Sequence, residues 1–180
     1  MKKEISGIVF SSIIKALNDF MGIDGLNSIL RIAKLDEFIG VEPSKTQPIT
    51  IERFNTLLES MINVMGYGTN EILFHYGKKY LAIKFIPYMT ELSTFVMNFQ
   101  EWIGGKWVIQ KNNPNEKVIQ IFNSPFSLPG SPKSHRWCHI IRGIFEIVTE
   151  QITGEKYTCM ENKCELMGGN CCEFIIKKSF

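Results

Sequence analysis

Four of the five cysteines in this chain lie within fourteen residues near its C-terminal end, and this spacing constrains the fold more than any other feature. The four are Cys159, Cys164, Cys171 and Cys172, and Cys138 precedes them. Free cysteine packs as a small buried hydrophobic group, so a purely structural cluster is one interpretation. A metal site is the other, because cysteine thiolates are preferred ligands of Zn²⁺.

The local pattern around these cysteines favours the metal site. The segments Glu155–Glu161 and Cys171–Lys177 are predicted strands, joined by a turn that contains two glycines. A hairpin of this kind brings Glu161, Cys164 and Cys172 to one end of a sheet. Two thiols and one carboxyl group would then face the same point.

The helix predicted over Arg136–Ile152 carries Cys138 near its start and can supply a fourth ligand. Three thiolates and one carboxylate suit tetrahedral Zn²⁺, with Zn–S bonds of about 2.3 Å. Because four protein ligands leave no position for water, the sequence predicts a structural metal rather than a catalytic one. Such a metal would clamp the last helix to the terminal hairpin.

Two alternatives stay open at this site. His135 and His139 are four residues apart, which is a second spacing that can bind metal on a helix. We favour instead a helix start with a solvated His135 and a partly buried His139. The donor set also suits thiophilic metals other than zinc.

Apolar residues at helical spacing occupy the first hundred residues, and strand patterns follow them. The predicted helices cover Ile5–Leu35 with a division near Gly22, a segment that starts after Thr50, Asn70–Phe85 and Thr90–Ile103. Trp107–Gln110 and Lys117–Phe122 flank a polar turn and are predicted to form a hairpin. The sequence therefore predicts an α+β fold, in which N-terminal helices precede an antiparallel sheet with a long helix packed on it.

The length of 180 residues suits a single domain spanning 1–180. Within it we predict a helical N-terminal arm over 1–40 and a core over 49–180, separated by the segment Val41–Pro48, which contains two prolines. One small sheet is expected to leave the apolar faces of the arm helices uncovered. A homodimer would bury them, and we therefore expect one.

Charge and hydropathy exclude some classes of partner. Twenty basic residues against eighteen acidic ones give a net charge of +2, which is too mild to indicate nucleic acid or an anionic membrane surface. The apolar runs are only a few residues long, so we predict no membrane span. Charged residues interrupt the apolar N-terminus, unlike a signal peptide, and we predict a cytoplasmic protein with reduced or metal-bound cysteines.

The region Lys117–Lys178 resembles the C-terminal motif of the 4-vinyl reductase domain family. That signature has a cysteine, a glycine and a second cysteine followed by Phe and a β-branched residue, and this chain has Cys164, Gly168, Cys172, Phe174 and Ile175. The family includes a protein linked to bacteriochlorophyll synthesis and the sensory domains of phenol- and xylene-responsive transcription activators. It also includes stand-alone archaeal proteins, the type that this chain resembles in layout.

The resemblance implies a ligand set and a fold. In the aromatic-sensing members a helix cysteine and a downstream Glu, Cys and Cys hold zinc, so the resemblance assigns these roles to Cys138, Glu161, Cys164 and Cys172. Cys159 and Cys171 match no ligand position and are interpreted as packing residues, with Cys171 as an alternative ligand. The implied fold is that of haem-based nitric oxide sensors and a Golgi vesicle-tethering subunit. The Tyr-x-Ser-x-Arg motif of the haem sensors is absent from this sequence, so haem is not expected.

The aromatic residues of the C-terminal half are candidates for a ligand pocket. We expect an apolar cavity between the Thr90–Ile103 helix, the following hairpin and a loop over Ser124–Ser134. The candidate lining residues are Phe95, Phe99, Trp107, Phe122 and Phe126. Each of them could equally be an ordinary core residue, and the His and Trp that orient phenol in the aromatic sensors have no matching local motif here.

These features predict a zinc-stabilised binding or sensory domain for a small hydrophobic molecule, acting through a partner protein. The sequence lacks a dinucleotide fingerprint, a P-loop and a nucleophile elbow, so a binding module is favoured over an enzyme. Two alternatives stay open. One is an accessory protein or enzyme in tetrapyrrole vinyl reduction, and the other is a protein-interaction adaptor of the same fold.

Overall fold

Helices form the N-terminal half of the molecule, and a four-stranded antiparallel sheet forms the C-terminal half. The computed structural model describes residues 4–65, 69–124 and 137–179. The helices are α1 (Gly7–Ile32), α2 (Ile51–Met65), α3 (Thr69–Tyr76), α4 (Ala82–Phe85), α5 (Leu92–Ile103) and α6 (Cys138–Thr153). The strands are β1 (Glu4–Ile5), β2 (Ile49–Thr50), β3 (Lys106–Asn112), β4 (Glu116–Phe122), β5 (Tyr157–Lys163) and β6 (Cys172–Lys178). The predicted α+β class is confirmed.

The division predicted in the first helical segment is confirmed as a kink. Helix α1 is one run of 26 residues, but Gly22 leaves the helical conformation with a φ of 71°. Glycine adopts this left-handed value without the steric cost that a Cβ would bring. In the described part of the chain, no helix combines the length and the apolar character that a membrane span requires.

Helix α2 begins at the predicted N-cap. The Thr50 hydroxyl accepts a hydrogen bond from the backbone N–H of Arg53 at 3.4 Å, which satisfies one of the free donors of the first turn. Its inward face is fully buried and consists of Phe54, Leu57, Leu58, Met61 and Ile62. The predicted stop after this helix falls at residues 66–68, outside the described residues.

Two glycines allow the backbones of α3 and α6 to touch. A π-helical segment, Gly77–Leu81, continues α3, and a Cβ on Gly77 would lie 2.2 Å from the carbonyl oxygen of Ile140 in α6. A Cβ on Gly143 would lie 2.3 Å from the carbonyl oxygen of Phe74. Real Cβ contacts are never this short, so both positions require glycine. This crossing joins the helical half to the helix that carries Cys138.

The sheet has the strand order β3-β4-β6-β5, with every neighbouring pair antiparallel. The predicted first hairpin is confirmed, because Trp107 of β3 pairs with Ile121 of β4. Helix α6 packs on one face, where its Phe145 ring lies 5.2 Å from the ring of Phe174 in β6. The strands alternate, so Ile119 and Ile121 face this helix while their neighbours face away.

Helix α1 packs into the same hydrophobic core as the sheet. Its Val9, Phe10, Ile13 and Leu17 are buried within the chain itself. The apolar face of α1 is therefore covered without a second copy. The homodimer was inferred from that face being open, and it stays a prediction without this support.

Tyr76 ties α3 to α1 and gives a stability prediction. Its ring is fully buried, and its hydroxyl donates to the carbonyl oxygen of Ile13 at 2.9 Å. We expect Tyr76→Phe to lower the free energy of unfolding by about 1 kcal/mol, since it removes one buried hydrogen bond and leaves the ring in place. Urea denaturation measures the difference. Tyr80→Phe is the control, because the Tyr80 hydroxyl has no hydrogen-bond partner among the described residues, and an equal loss in both variants would contradict the expectation.

Candidate metal centre

The structure brings the four predicted metal ligands together. Cys138 is the first residue of α6, Glu161 lies in β5, Cys164 follows β5 in a turn, and Cys172 is the first residue of β6. One ligand atom from each residue lies within 4.8 Å of the others. The three cysteines are buried and Glu161 is half-buried. This cluster therefore joins one helix to both strands of the terminal hairpin.

A bulge and a tight turn place these residues at one end of the sheet. The register between β5 and β6 shifts after Glu161, so that Lys163 rather than Asn162 pairs with Glu173. In the turn, the carbonyl oxygen of Cys164 accepts backbone N–H groups from Met167 at 3.0 Å and Gly169 at 2.9 Å. These bonds hold Cys164 near the start of β6.

The electrostatics of the cluster favour protonated thiols when no cation is present. The Sγ atoms of Cys138 and Cys172 are 3.5 Å apart. Hydrogen bonds with Cys164 and Cys172 hold the pKa of Cys138 well above its ordinary value, and burial and the charge of Glu161 raise it further. A bound cation reverses this preference, because a coordinated thiol is deprotonated.

The spacing and chemistry of the four donors fit a tetrahedral metal. Zn–S bonds of about 2.3 Å place two sulfurs of a tetrahedron roughly 3.8 Å apart. The 3.5 Å between Cys138 and Cys172 and the 4.8 Å limit for the whole cluster are close to this value. Three soft sulfur donors and one carboxylate suit a thiophilic divalent cation and not magnesium or calcium, which prefer all-oxygen sites.

The two remaining cysteines lie outside this cluster. Cys159 is buried on the inner face of β5, paired with Ile176 of β6, and burial raises its pKa well above the ordinary value. Cys171 is also buried, and burial raises its pKa. His139 is buried in α6, and His135 lies outside the described residues, so the proposed histidine pair stays untested.

Three of the predicted pocket residues meet in one aromatic cluster. The ring centroids of Phe95 and Phe99 are 4.3 Å apart, and those of Phe99 and Trp107 are 5.8 Å apart. All three side chains are buried. Phe122 does not join them, since it follows the inward-facing Ile121 and strand alternation directs it to the opposite face of the sheet. Phe126 and most of the Ser124–Ser134 segment lie outside the described residues.

An open polar groove at the other end of the sheet was missed by the sequence analysis. It has a volume of about 580 Å³ and lies between the β3–β4 turn, the start of α5 and the end of α6. Lys117 contributes to it from a buried position. A signal was present, because Lys117 precedes Ile119 and Ile121 at intervals of two, which places a lysine in the inward register of a strand.

Comparison with known proteins identifies the C-terminal third of the chain. Residues 118–178 match the family model of the vinyl-4-reductase domain, which is the 4-vinyl reductase domain of the sequence analysis. The chain carries a 4-vinyl reductase domain. The match confirms the resemblance to that family, and the matched segment contains all four clustered residues. No curated protein sequence matches the chain.

Solved structures similar to this 4-vinyl reductase domain protein extend the likeness to the helical half. An H-NOX protein from S. oneidensis in the Fe(II)NO ligation state is 12% identical, with a TM-score of 0.66, over 98% of this chain and 100% of that chain. A vinyl-4-reductase family protein from Methanocaldococcus jannaschii is 19% identical, with a TM-score of 0.52, over 84% and 93%. A trafficking protein particle complex subunit 3 from Naegleria fowleri, covalently bound to palmitic acid, is 18% identical, with a TM-score of 0.54, over 72% and 93%. These likenesses confirm the predicted nitric oxide signalling/Golgi transport-like fold.

Proposed function

We propose that this 4-vinyl reductase domain protein binds a small hydrophobic molecule, is stabilised by zinc, and passes a signal to a partner protein. The observation that carries the proposal is the cluster of three thiols and one carboxyl group within 4.8 Å, which joins α6 to β5 and β6. A ligand that moves α6 would act on an element fixed at one end by metal and crossed by α3 at the glycine contact.

Zinc is proposed as a structural ion held by Cys138, Glu161, Cys164 and Cys172. When bound, it would cross-link elements that are up to 34 residues apart in the chain. Four protein ligands complete the tetrahedral shell, so the ion would have no open position for a substrate or a reactive water. This argues for stabilisation and against metal-dependent catalysis.

A hydrophobic ligand is proposed because proteins of this fold hold chemically different molecules. The similar H-NOX protein was solved in its Fe(II)NO state, and the similar trafficking subunit was solved with covalently bound palmitic acid. In this chain the candidate site lies beside the aromatic cluster of Phe95, Phe99 and Trp107, next to the Ser124–Ser134 segment. Aromatic side chains give an apolar wall of large area to such a site.

The ligand proposal is tested with the neutral fluorescent probe N-phenyl-1-naphthylamine. We expect saturable binding of one probe per chain, weakened at least fivefold by Phe99→Leu. Met97→Leu is the matched control, because Met97 lies on the same helix with 69% of its surface exposed. Non-saturating uptake that is equal in all three proteins would contradict the ligand proposal. A stable hetero-partner recovered alongside such a result would favour the adaptor alternative.

A further inference from the structure

Lys117 occupies a position that a lysine rarely fills. It lies in β4 on the face that α6 covers, in line with Ile119 and Ile121, and only 5% of its surface is exposed. Burying an ammonium group removes its hydration, so buried lysines are normally paired with a carboxylate. The surroundings of Lys117 therefore need an account.

The described residues give Lys117 only neutral partners. Its Nζ donates to the carbonyl oxygen of Asn113 at 3.0 Å and lies 4.8 Å from the ring centroid of Tyr157. No carboxylate of the described ranges forms an ion pair with it. An ammonium group has three N–H donors, and the Asn113 carbonyl takes one of them. Positive charge and hydrogen-bonding capacity remain at this point.

The groove of about 580 Å³ gives this charge access to a ligand. Ser93 and Leu92, in the first turn of α5, lie along its wall, as do Asn112 and Asn113. Hydroxyl, amide and helix-start N–H groups of this kind are neutral donors for an anion. The residues that surround Lys117 in the groove are thus donor-rich.

The two acidic residues of the groove already have partners. Glu155 forms an ion pair with Lys178 at 3.1 Å, and Glu91 accepts a hydrogen bond from the Ser93 hydroxyl at 3.1 Å. Lys117 is therefore the groove's cation that lacks a carboxylate partner among the described residues.

We propose that this groove binds the oxyanion group of a small molecule, a carboxylate or a phosphate, with Lys117 as its counter-ion. A charge-assisted hydrogen bond from Nζ would satisfy the buried ammonium group and fix the anion. The site is separate from the metal centre, because Cys172 and Lys178 mark opposite ends of β6. It also differs from the proposed hydrophobic site, so the two proposals succeed or fail independently.

Isothermal titration with sodium phosphate and with sodium benzoate tests the proposal, using sodium chloride at matched ionic strength as the blank. We expect saturable binding of at least one of the two anions, and the anion that binds distinguishes a phosphate site from a carboxylate site. Lys117→Met should weaken this binding at least tenfold. Lys106→Met is the matched control, since Lys106 is an exposed lysine of β3 outside the groove, and it should stay within twofold of the wild type.

Binding no stronger than the sodium chloride blank would overturn the proposal, as would a folded Lys117→Met variant that binds like the wild type. Lys117 would then serve only to pin the β3–β4 turn against Tyr157. Amide chemical shifts of the wild-type protein give a readout that does not depend on folding of the variant. We expect anion-induced shifts at Ser93, Asn112 and Asn113, and shifts confined to other regions would contradict the site.

Discussion

Removal of the metal by a chelator is expected to lower the melting temperature of the wild-type protein by roughly 8–16 °C. An ion present at about a thousand times its dissociation constant stabilises the folded state by about 4 kcal/mol. For a chain of this size, 1 kcal/mol corresponds to a shift of about 2–4 °C. The effect should reverse when Zn²⁺ is restored. Differential scanning calorimetry with and without chelator measures it.

Cys164→Ser should reproduce most of this loss without chelator. The hydroxyl group of serine is a poor ligand for Zn²⁺ compared with a thiolate, so the variant should bind zinc weakly and gain little from added metal. Cys171→Ser is the matched control, because Cys171 is equally buried but lies outside the four-residue cluster. An equal fall in melting temperature for both variants would mean that these cysteines contribute only packing.

Gly143→Ala is expected to lower the free energy of unfolding by about 3 kcal/mol. The new Cβ would lie 2.3 Å from the carbonyl oxygen of Phe74 and 2.6 Å from the backbone nitrogen of Lys78. Both atoms belong to the backbone, so α3 and α6 must move apart, which is the costly case of overpacking. The change also displaces the ion pair between Lys78 and Glu146. Guanidinium denaturation measures the difference.

Gly154→Ala separates this steric clash from backbone strain. Gly154 ends α6 with a φ of 74°, and a Cβ there would meet no atom within 4 Å. Its substitution should therefore cost about 1 kcal/mol, which is the strain of a left-handed alanine. A loss for Gly143→Ala no larger than that for Gly154→Ala would contradict the close helix crossing.

The helices, hairpins and cysteine cluster were predictable because their signals are local. Helical spacing located α2 and α5, and the turn with two glycines between Glu161 and Cys172 indicated the terminal hairpin. The cysteine cluster needed only that hairpin and the helix before it. Each of these features depends on neighbours in sequence or on one pair of adjacent elements.

The features that the sequence analysis missed depend on contacts between distant segments. Gly77 was taken as a division between short helical pieces, but the chain stays helical there, because this glycine admits the backbone of α6. The cover over α1 likewise comes from residues far along the chain, such as Tyr76. Phe122 and Lys117 were different, since strand alternation already indicated the face on which each lies.

Native mass spectrometry of the protein, purified under reducing conditions without chelator, tests the central claim most directly. The account predicts a mass that exceeds the chain mass by one zinc ion, and the loss of that increment in Cys164→Ser but not in Cys171→Ser. A bare chain mass with all five thiols reduced would contradict it. The cluster of Cys138, Glu161, Cys164 and Cys172 would then be a packing arrangement, and the proposed zinc-stabilised domain would lose its main support.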